Sequence, residues 1–255
     1  MNYYNEIDKQ CANWIRNLIQ QGLLPQGDVD ERSIEDVKPS ELKGYRQCHF
    51  FAGICGWPLA LRIAGIENES GIWTGSCPCQ PFSSAGKRNG IDDERHLWPA
   101  WFHLISQCKP DIIFGEQVKA ATKQWLDIVG SDLESQGYAF GSAVLGAHSV
   151  GSPHSRNRIF FVADSGSPRS EAWLSIQARR SKGDSEISLD NSSGTLRPWK
   201  GAGMQRGKDG KSRWIESSIA PLANGVSSRV VELRAYGNAI VPQVAAEFVM
   251  SFIDE

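Results

Sequence analysis

The segment from residue 75 to residue 96 combines paired cysteines, paired prolines and clustered charges, and it reads GSCPCQPFSSAGKRNGIDDERH. Pro78 and Pro81 restrict the backbone on either side of Cys79. A thiolate is a strong nucleophile, and one that is held rigidly at the end of a strand is well placed to attack a bound substrate. These residues make Cys79 a candidate nucleophile for covalent catalysis.

The six cysteines, at positions 11, 48, 55, 77, 79 and 108, allow other interpretations. Cys77 and Cys79 could ligate a metal ion, but a zinc site needs a second Cys or His pair at a fitting spacing, and the sequence offers none. We therefore expect no metal. Either residue could instead be a buried structural thiol. Since the spacing lacks the regularity of a disulfide framework, we expect free thiols.

The elements around this segment alternate between strand-like and helix-like patterns. Strands are predicted at 2–7, 27–34, 48–53, 71–76, 110–118, 142–147 and 158–164, and helices at 11–24, 58–65, 97–108, 122–137 and 241–253, with a weak helix at 33–44. Such alternation predicts an α/β fold with a mostly parallel sheet, in which ligands bind at the carboxyl ends of the strands.

The composition fits one substantial domain and gives no sign of a membrane protein. Of the 255 residues, 40% are hydrophobic and 22% are charged, and the formal net charge is −2. No apolar run approaches the roughly 18 residues of a membrane helix, and the start lacks the features of a signal peptide. We expect a cytoplasmic protein. Residues 169–213 hold ten Lys or Arg against five Asp or Glu, which favours either a nucleic-acid-binding loop region or a solvated insertion.

Four segments resemble, in order, motifs of the DNA cytosine carbon-5 methyltransferases. Pro78-Cys79-Gln80-Pro81-Phe82-Ser83 resembles their nucleophile motif, and Glu116-Gln117-Val118 resembles their Glu-Asn-Val element. Arg156-x-Arg158 resembles their Gln-x-Arg-x-Arg element, and Gly237-Asn238-Ala239 resembles their closing motif. The resemblance implies a Rossmann-like class I methyltransferase sheet with one antiparallel strand. It also implies methyl transfer from S-adenosylmethionine to carbon 5 of cytosine.

The resemblance also assigns catalytic roles. Cys79 would add to carbon 6 of a flipped cytosine, and Glu116, kept protonated by burial, would hydrogen-bond to ring nitrogen 3. Arg158 would face the ring carbonyl oxygen, while Arg156 would orient the site or hold phosphate. Surface ion pairs are the alternative for both arginines. The loop 84–96 would close over the base, and Gln80, Ser83, Lys87 and Arg88 would contact DNA.

The implied cofactor site draws on two separated stretches. Residues 50–56, FFAGICG, resemble the family's glycine-rich turn, which assigns Phe51, Gly53 and Gly56 to the cofactor together with Pro78 and Asn238. Cys55 replaces the second glycine of that turn. Its side chain would either crowd the cofactor or require a backbone angle that glycine adopts easily.

The ribose-binding and adenine-binding elements are missing from their usual place after the glycine-rich turn, and a match for them stands at the amino terminus. Glu6 would hold the ribose, Ile7 would pack on adenine, and Asp28 would reach its amino group; alternatively, Glu6 and Asp28 are ordinary surface acids. We therefore predict a permuted motif order, in which strand 2–7 lies beside strand 49–53.

The domain organisation follows from the same matches. Residues 1–164 and 229–255 would form the catalytic domain, and residues 165–228 a small target-recognition region. The expected partner is double-stranded DNA, the expected state a monomer, and the small recognition region would fit a restriction–modification or phage-borne enzyme. Two alternatives stay open, namely a DNA-binding descendant that has lost activity, and the same chemistry on RNA.

Overall fold

The computed structural model describes residues 1–78, 97–118, 122–152, 156–169 and 239–254, with short stretches at 173–174, 177–178, 203–206 and 212–215. For residues 122–124, 203–206 and 212–215 the description covers the backbone alone.

A seven-stranded sheet forms the centre of the fold. Its strands are β1 (Asn2–Asn5), β2 (Gly27–Asp30), β3 (Gln47–Phe50), β4 (Ile72–Gly75), β5 (Ile112–Val118), β6 (Ala139–Leu145) and β7 (Arg158–Asp164). Their order is β2-β1-β3-β4-β5-β7-β6. In this sheet β7 runs antiparallel to both of its neighbours, β5 and β6, and the other pairings are parallel. The predicted α/β sheet with one antiparallel strand is confirmed.

Five helices accompany the sheet within the described residues: α1 (Lys9–Gln20), α2 (Gly56–Ile63), α3 (Trp98–Cys108), α4 (Thr122–Ser135) and α5 (Pro242–Ile253). α1 begins two residues earlier than predicted because Asp8 caps it. The Asp8 carboxylate accepts the backbone N–H groups of Gln10 and Cys11 at 2.9 and 3.0 Å. This cap fixes the direction of the chain directly after Glu6.

The predicted helix at residues 33–44 is replaced by two 3-10 turns, Ile34–Asp36 and Pro39–Leu42. Proline disfavours helical backbone in the residue before it, and Lys38 accordingly has an extended ψ of 140°. Ile34, Val37 and Leu42 are buried nevertheless. The segment therefore covers the sheet without forming a regular helix.

The two faces of the sheet bury different sets of helices. Because side chains alternate along a strand, neighbouring strand residues mark opposite faces. The first face, marked by Tyr3 and Trp73, is covered by the two 3-10 turns, α3 and α4. The second face, marked by Tyr4 and Ile72, is covered by α1, α2 and α5.

Two consecutive crossovers run in the same direction across the sheet but on opposite faces. α2 joins β3 to β4 and packs with Ile72, whereas α3 joins β4 to β5 and packs with Trp73. These crossovers therefore have opposite hands. The α1 crossover, from β1 to β2, runs in the opposite direction on the second face. Reversing both the direction and the face leaves the hand unchanged, so the α1 crossover has the same hand as the α3 crossover. Crossovers between parallel strands are right-handed in about 98% of cases, so the α2 connection is the exception.

The predicted recognition region contains a hairpin that the sequence did not indicate. Strands β8 (Gly203–Arg206) and β9 (Ser212–Ile215) pair antiparallel. Near the start of the predicted recognition region, Arg169 forms an ion pair with Asp164 and lies over the ring of Trp173. The ring of Trp173 in turn contacts Phe252 of α5. The chain thus stays packed on the core for several residues beyond position 164, and the proposed boundary there remains a prediction.

Candidate active site

A pocket of about 350 Å³ opens at the carboxyl ends of β1, β3 and β4. Its walls come from the turn after β1, the segment after β2, the turn after β3, the segment after β4 and the residues before α5. The lining includes Asn5, Glu6, Ile7, Asp8, Arg32, Ser33, Ile34, Phe51, Gly53, Gly56, Trp57, Ser76, Pro78, Ala239 and Ile240. This is the edge of the sheet at which the strand alternation predicts a ligand.

Glu6 ties the first strand to the glycine-containing turn. Its Oε2 accepts the backbone N–H of Gly53 at 2.6 Å, and its Oε1 accepts the N–H of Asp8 at 2.8 Å. Burial raises the pKa of the Glu6 carboxyl group, while these two bonds oppose that change. Ile7 lies beside it at the pocket rim with 66% of its surface exposed. The structure thus places two of the predicted cofactor residues at the pocket.

The turn after β3 uses backbone conformations that are rare for residues other than glycine. Phe51, Gly53 and Cys55 have φ angles of 51°, 55° and 67°. Glycine adopts such angles at little cost, whereas other L-residues are disfavoured by about 1–2 kcal/mol. This conformation brings Phe51, Gly53 and Gly56 to the pocket wall, as the sequence predicts.

Cys55 does not crowd the pocket, which corrects one of the two expectations for this position. Its side chain is 2% exposed and packs with Tyr4, Ile15 and Ile19 beneath α1, and it is not part of the pocket lining. The other expectation is confirmed, because Cys55 has the left-handed backbone that glycine would adopt more easily.

Gly56 is required by a close approach. A Cβ atom at this position would lie 2.5 Å from Cγ1 of Ile240, so a side chain would force apart the helix start and the segment before α5. The absence of that side chain lets both residues line the pocket together.

Asp28 lies outside the pocket lining, contrary to the expected contact with adenine. The register pairs Asp28 with Tyr3, two residues before the end of β2, and its carboxylate accepts a hydrogen bond from the hydroxyl of Tyr45. The pocket wall is formed instead by residues past the end of the strand, namely Arg32, Ser33 and Ile34. Sequence reasoning missed them because the motif resemblance assigned the contact to Asp28, which lies inside the strand.

A buried acid and an arginine lie where β5 and β7 pair. Glu116 is 6% exposed, and its Oε1 accepts a hydrogen bond from Nε of Arg158 at 2.9 Å. Burial raises the pKa of the Glu116 carboxyl group, and Arg158, a hydrogen bond from Ser76 and Arg156 oppose this rise. The acid therefore holds its proton more readily than an exposed glutamate. The predicted catalytic residues Glu116 and Arg158 are brought together.

Ser76 connects this acid to the pocket. It lines the pocket and bonds to Glu116, and its hydroxyl also accepts the indole N–H of Trp57 at 3.2 Å. Sequence reasoning missed Ser76. Gly75 at the end of β4 pairs with Gly115 of β5, so the next residues, Ser76 and Glu116, lie opposite each other. This position directly after β4 could have indicated Ser76 as a site residue.

Arg156 serves a different contact from Arg158. Its guanidinium donates to the backbone carbonyl of Ala239 at 2.6 Å, and Ala239 lines the pocket. The nearby positive charge of Arg158 and burial lower the pKa of Arg156, with burial the larger effect. Of the two roles predicted for Arg156, this contact supports an orienting one.

Comparison with known proteins identifies this arrangement. A sequence model described as C-5 cytosine-specific DNA methylase matches residues 60–197, which is more than half of the chain. The chain belongs to the C-5 cytosine-specific DNA methylase family. The matched region includes Ser76, Glu116, Arg156 and Arg158.

Several characterised methyltransferases are similar to part of the chain. It is 27% identical over 167 residues to the type II methyltransferase M.HhaI of Haemophilus parahaemolyticus, across 50% of this chain and 51% of that protein. It is 30% identical over 145 residues to M.NlaX of Neisseria lactamica, across 52% of this chain and 46% of that protein. The chain thus spans about half the length of these relatives.

Among solved structures, the chain is similar to a DNMT2 variant of Spodoptera frugiperda. The TM-score is 0.42 and the identity 18%, over 67% of this chain and 45% of that one.

Several predicted site residues lie outside the described residues. They are Cys79, Gln80, Ser83, Lys87, Arg88 and Asn238. Their roles remain predictions. Pro78, which precedes Cys79, and Ala239, which follows Asn238, line the pocket.

The remaining expectations concern metals, disulfides and membranes. In the described ranges, no three His, Cys, Asp or Glu side chains are grouped so that they could hold a metal ion. The five described cysteines are free thiols. None of the described helices has the length and apolar character needed to cross a membrane.

Proposed function

We propose that this protein transfers a methyl group from S-adenosylmethionine to carbon 5 of cytosine in double-stranded DNA. The proposal rests on the series of contacts that leads from the pocket to a buried acid. Ser76 borders the pocket and bonds to Glu116, which pairs with Arg158. A carboxyl group that keeps its proton, next to a guanidinium, can stabilise charge that develops on a pyrimidine ring.

S-adenosylmethionine fits the residues that form the pocket. Each Glu6 oxygen accepts one backbone N–H and retains a second lone pair, which can accept a ribose hydroxyl. Ile7 offers exposed apolar surface to a planar base. The N-terminus of α2 opens on the pocket, and its unpaired N–H groups favour a carboxylate such as that of the methionine part. When bound, the cofactor supplies an electrophilic methyl group.

Cys79 is the proposed nucleophile. Its thiolate adds to carbon 6 of an extruded cytosine, and the electrons of the C5–C6 double bond become available at carbon 5. The methyl group that bound S-adenosylmethionine would supply would pass to carbon 5 as the methyl–sulfur bond breaks and leaves its electron pair on sulfur, and carbon 5 would then lose its proton to a base. The electrons of that C–H bond restore the double bond and expel the thiolate, so Cys79 is regenerated.

Glu116 and Arg158 are proposed to bind the ring during this addition. Glu116, in its protonated form, donates a hydrogen bond to ring nitrogen 3, where electron density increases. Arg158 has five N–H donors, so it can keep its Nε bond to Glu116 and also donate to the ring carbonyl oxygen. Arg156 holds the segment before α5 against the pocket through Ala239.

The cofactor-binding elements are proposed to follow a permuted order in the chain. The predicted neighbours β1 and β3 are paired in parallel, with Asn5 opposite Phe50, and this register brings Glu6 to the turn after β3. The exceptional hand of the α2 crossover supports the same proposal. In the unpermuted order, the strand after α2 would be β1. If α2 keeps its place on the second face while the next strand in the chain becomes β4, the crossover acquires the exceptional hand.

DNA contacts are proposed for two regions. Gln80, Ser83, Lys87 and Arg88 follow the nucleophile closely enough to approach the same stretch of duplex. Residues 165–228, which include the β8–β9 hairpin, would supply the contacts that select a sequence.

Transfer of tritium from labelled S-adenosylmethionine tests the proposed function. We expect incorporation into duplex DNA of mixed sequence, and less into single-stranded DNA or tRNA. Incorporation into tRNA alone would assign the chemistry to RNA, and binding of DNA without transfer would indicate an inactive descendant.

Replacement of the nucleophile tests the catalytic assignment. Cys79→Ala should abolish transfer because the variant lacks the thiol that adds to carbon 6, while Cys108→Ser, at a residue that is not part of the pocket lining, should retain it. Retained transfer in Cys79→Ala would contradict the assignment.

A further inference from the structure

Gln117 makes two hydrogen bonds at the end of β5, and one of them joins this strand to the segment leading to Cys79. Its side chain is buried, with 3% of the residue exposed. Nε2 donates to the backbone carbonyl of Cys77 at 3.0 Å, and Oε1 accepts the backbone N–H of Val118 at 2.8 Å. The second bond fixes the orientation of the amide, so that its donor points at Cys77.

These bonds continue the pairing of β4 with β5 beyond the strands themselves. The backbone register ends at Gly75 opposite Gly115. The next pair, Ser76 and Glu116, is joined through side chains, and the following pair is joined by the Gln117 amide. After β4 ends, side-chain bonds from β5 thus hold the chain as far as the second residue before Cys79.

We propose that Gln117 is a positioning residue, which fixes the Cys77 carbonyl and thereby sets where the nucleophile segment leaves the sheet. This inference rests on the proposed function, in which Cys79 is the nucleophile. Gln117 itself touches neither substrate nor cofactor in this proposal. It acts through the backbone of Cys77 and Pro78, and Pro78 transmits the constraint because its ring restricts the backbone.

The length of the side chain is part of the inference. The family motif that residues 116–118 resemble has asparagine at this position. Asparagine is shorter by one carbon–carbon bond, about 1.5 Å, so its amide would not reach the Cys77 carbonyl from the same backbone. The residue typical of the family should therefore function worse in this chain than glutamine does.

Gln47 provides a matched control. It is also buried, with 1% exposed, and its Nε2 likewise donates to backbone carbonyls, those of Ile66 and Glu69, at 3.0 Å each. It lies at the amino end of β3, opposite Ile72, whereas the pocket lies at the carboxyl ends of the strands. Gln47→Met removes the same kind of bond without altering the nucleophile segment.

The experiment compares wild type with Gln117→Met, Gln117→Asn and Gln47→Met. Single-turnover methyl transfer to unmethylated duplex DNA of mixed sequence gives the rate, and KM values for both substrates are measured alongside. We expect both Gln117 variants to lose about 10-fold to 100-fold in rate with KM unchanged, as small misplacements of a reacting group do. Gln47→Met should keep the wild-type rate even where its melting temperature falls.

Hydrogen exchange supplies a second readout that does not depend on activity. In both Gln117 variants, amides in the peptide spanning residues 76–80 should exchange faster than in wild type, and in Gln47→Met they should not. Wild-type rate and exchange in the Gln117 variants would overturn the inference while leaving the proposed function intact. An inactive wild type whose exchange still responds to Gln117 would remove the proposed function and leave the positioning role.

Discussion

At the scale of single residues, Glu116 is subject to opposing electrostatic effects. Burial between β4 and β7 raises its pKa, while Arg158, Ser76 and Arg156 lower it, and the effect of burial is larger. Deprotonation is therefore harder in the folded protein than in the unfolded chain. The same property that lets Glu116 donate a hydrogen bond makes its ionised form unfavourable for folding.

This opposition gives a pH prediction. The unfolded chain releases the Glu116 proton near pH 4.5, its ordinary pKa, whereas the folded protein releases it at higher pH. Between these two values the folded state binds more protons, so stability falls as pH rises. Glu116→Gln removes this contribution. Urea unfolding across that interval should show wild type losing stability relative to the variant, and parallel curves would contradict the raised pKa.

The same variant should also lower catalysis. An amide can donate a hydrogen bond to ring nitrogen 3 but cannot transfer a proton to it during the addition of the thiolate. The rate of single-turnover methyl transfer should therefore fall by about 10²-fold. Cofactor binding measured by calorimetry should be unchanged, because Glu116 is not part of the pocket lining.

At the scale of elements, turn geometry decides which side chains reach the pocket. The resemblance of their segments to family motifs predicted Glu6 and Gly53 as site residues, and both line the pocket. The sequence could not settle Cys55, because the choice between a side chain facing the pocket and one facing the core depends on the φ angles of Phe51, Gly53 and Cys55. The sequence assigned the adenine contact to Asp28, which lies two residues before the end of β2. The end of a strand depends on its register with the neighbouring strand, which the sequence alone does not give.

Cys55 gives a prediction that separates packing from backbone strain. Cys55→Ala loses the buried sulfur but keeps a Cβ atom in left-handed backbone, while Cys55→Gly loses the Cβ as well. Glycine should therefore be the more stable of the two variants by about 1 kcal/mol, the reverse of the usual order near a helix. Thermal unfolding checks this order. Calorimetry should show unchanged cofactor affinity in both, since the side chain faces the core.

At the scale of the whole molecule, the mostly parallel sheet and the pairing of β1 with β3 could be predicted, but the hand of one crossover could not. Alternation of strands and helices predicted the sheet, and the position of Glu6 predicted β1 beside β3. The unusual hand of the α2 crossover was beyond sequence reasoning, because it depends on which face each helix covers. The hairpin β8–β9 was missed because its sequence is rich in Gly and charge and lacks an alternating pattern.

The permuted order can be tested by reordering the chain. The N–H of Arg46 donates to the carbonyl of Met1 at 2.8 Å, and the N–H of Gly71 donates to the carbonyl of Arg46 at 3.0 Å, so the starts of β1, β3 and β4 are adjacent. A chain ordered 46–70, 1–45, 71–255 would need linkers across roughly 5–10 Å, one or two strand spacings. The crossovers of its parallel strands would all have one hand.

We expect the reordered chain to fold and to bind S-adenosylmethionine as tightly as wild type, as calorimetry and circular dichroism would show. Wild type with the same linker inserted after Ser70 serves as control. A reordered chain that fails to fold while the control folds would contradict the proposed permutation.

The central claim is that Cys79 forms a covalent bond with the target base, and mass spectrometry of a trapped adduct tests it most directly. With 5-fluorocytosine in duplex DNA, methyl transfer leaves fluorine on carbon 5, where no proton can be removed, so the thiolate cannot be expelled. The account predicts a stable protein–DNA adduct in the presence of S-adenosylmethionine, with the nucleotide on the peptide that contains Cys79. An adduct on another residue, or methyl transfer to ordinary DNA with no adduct on the fluorinated one, would contradict it.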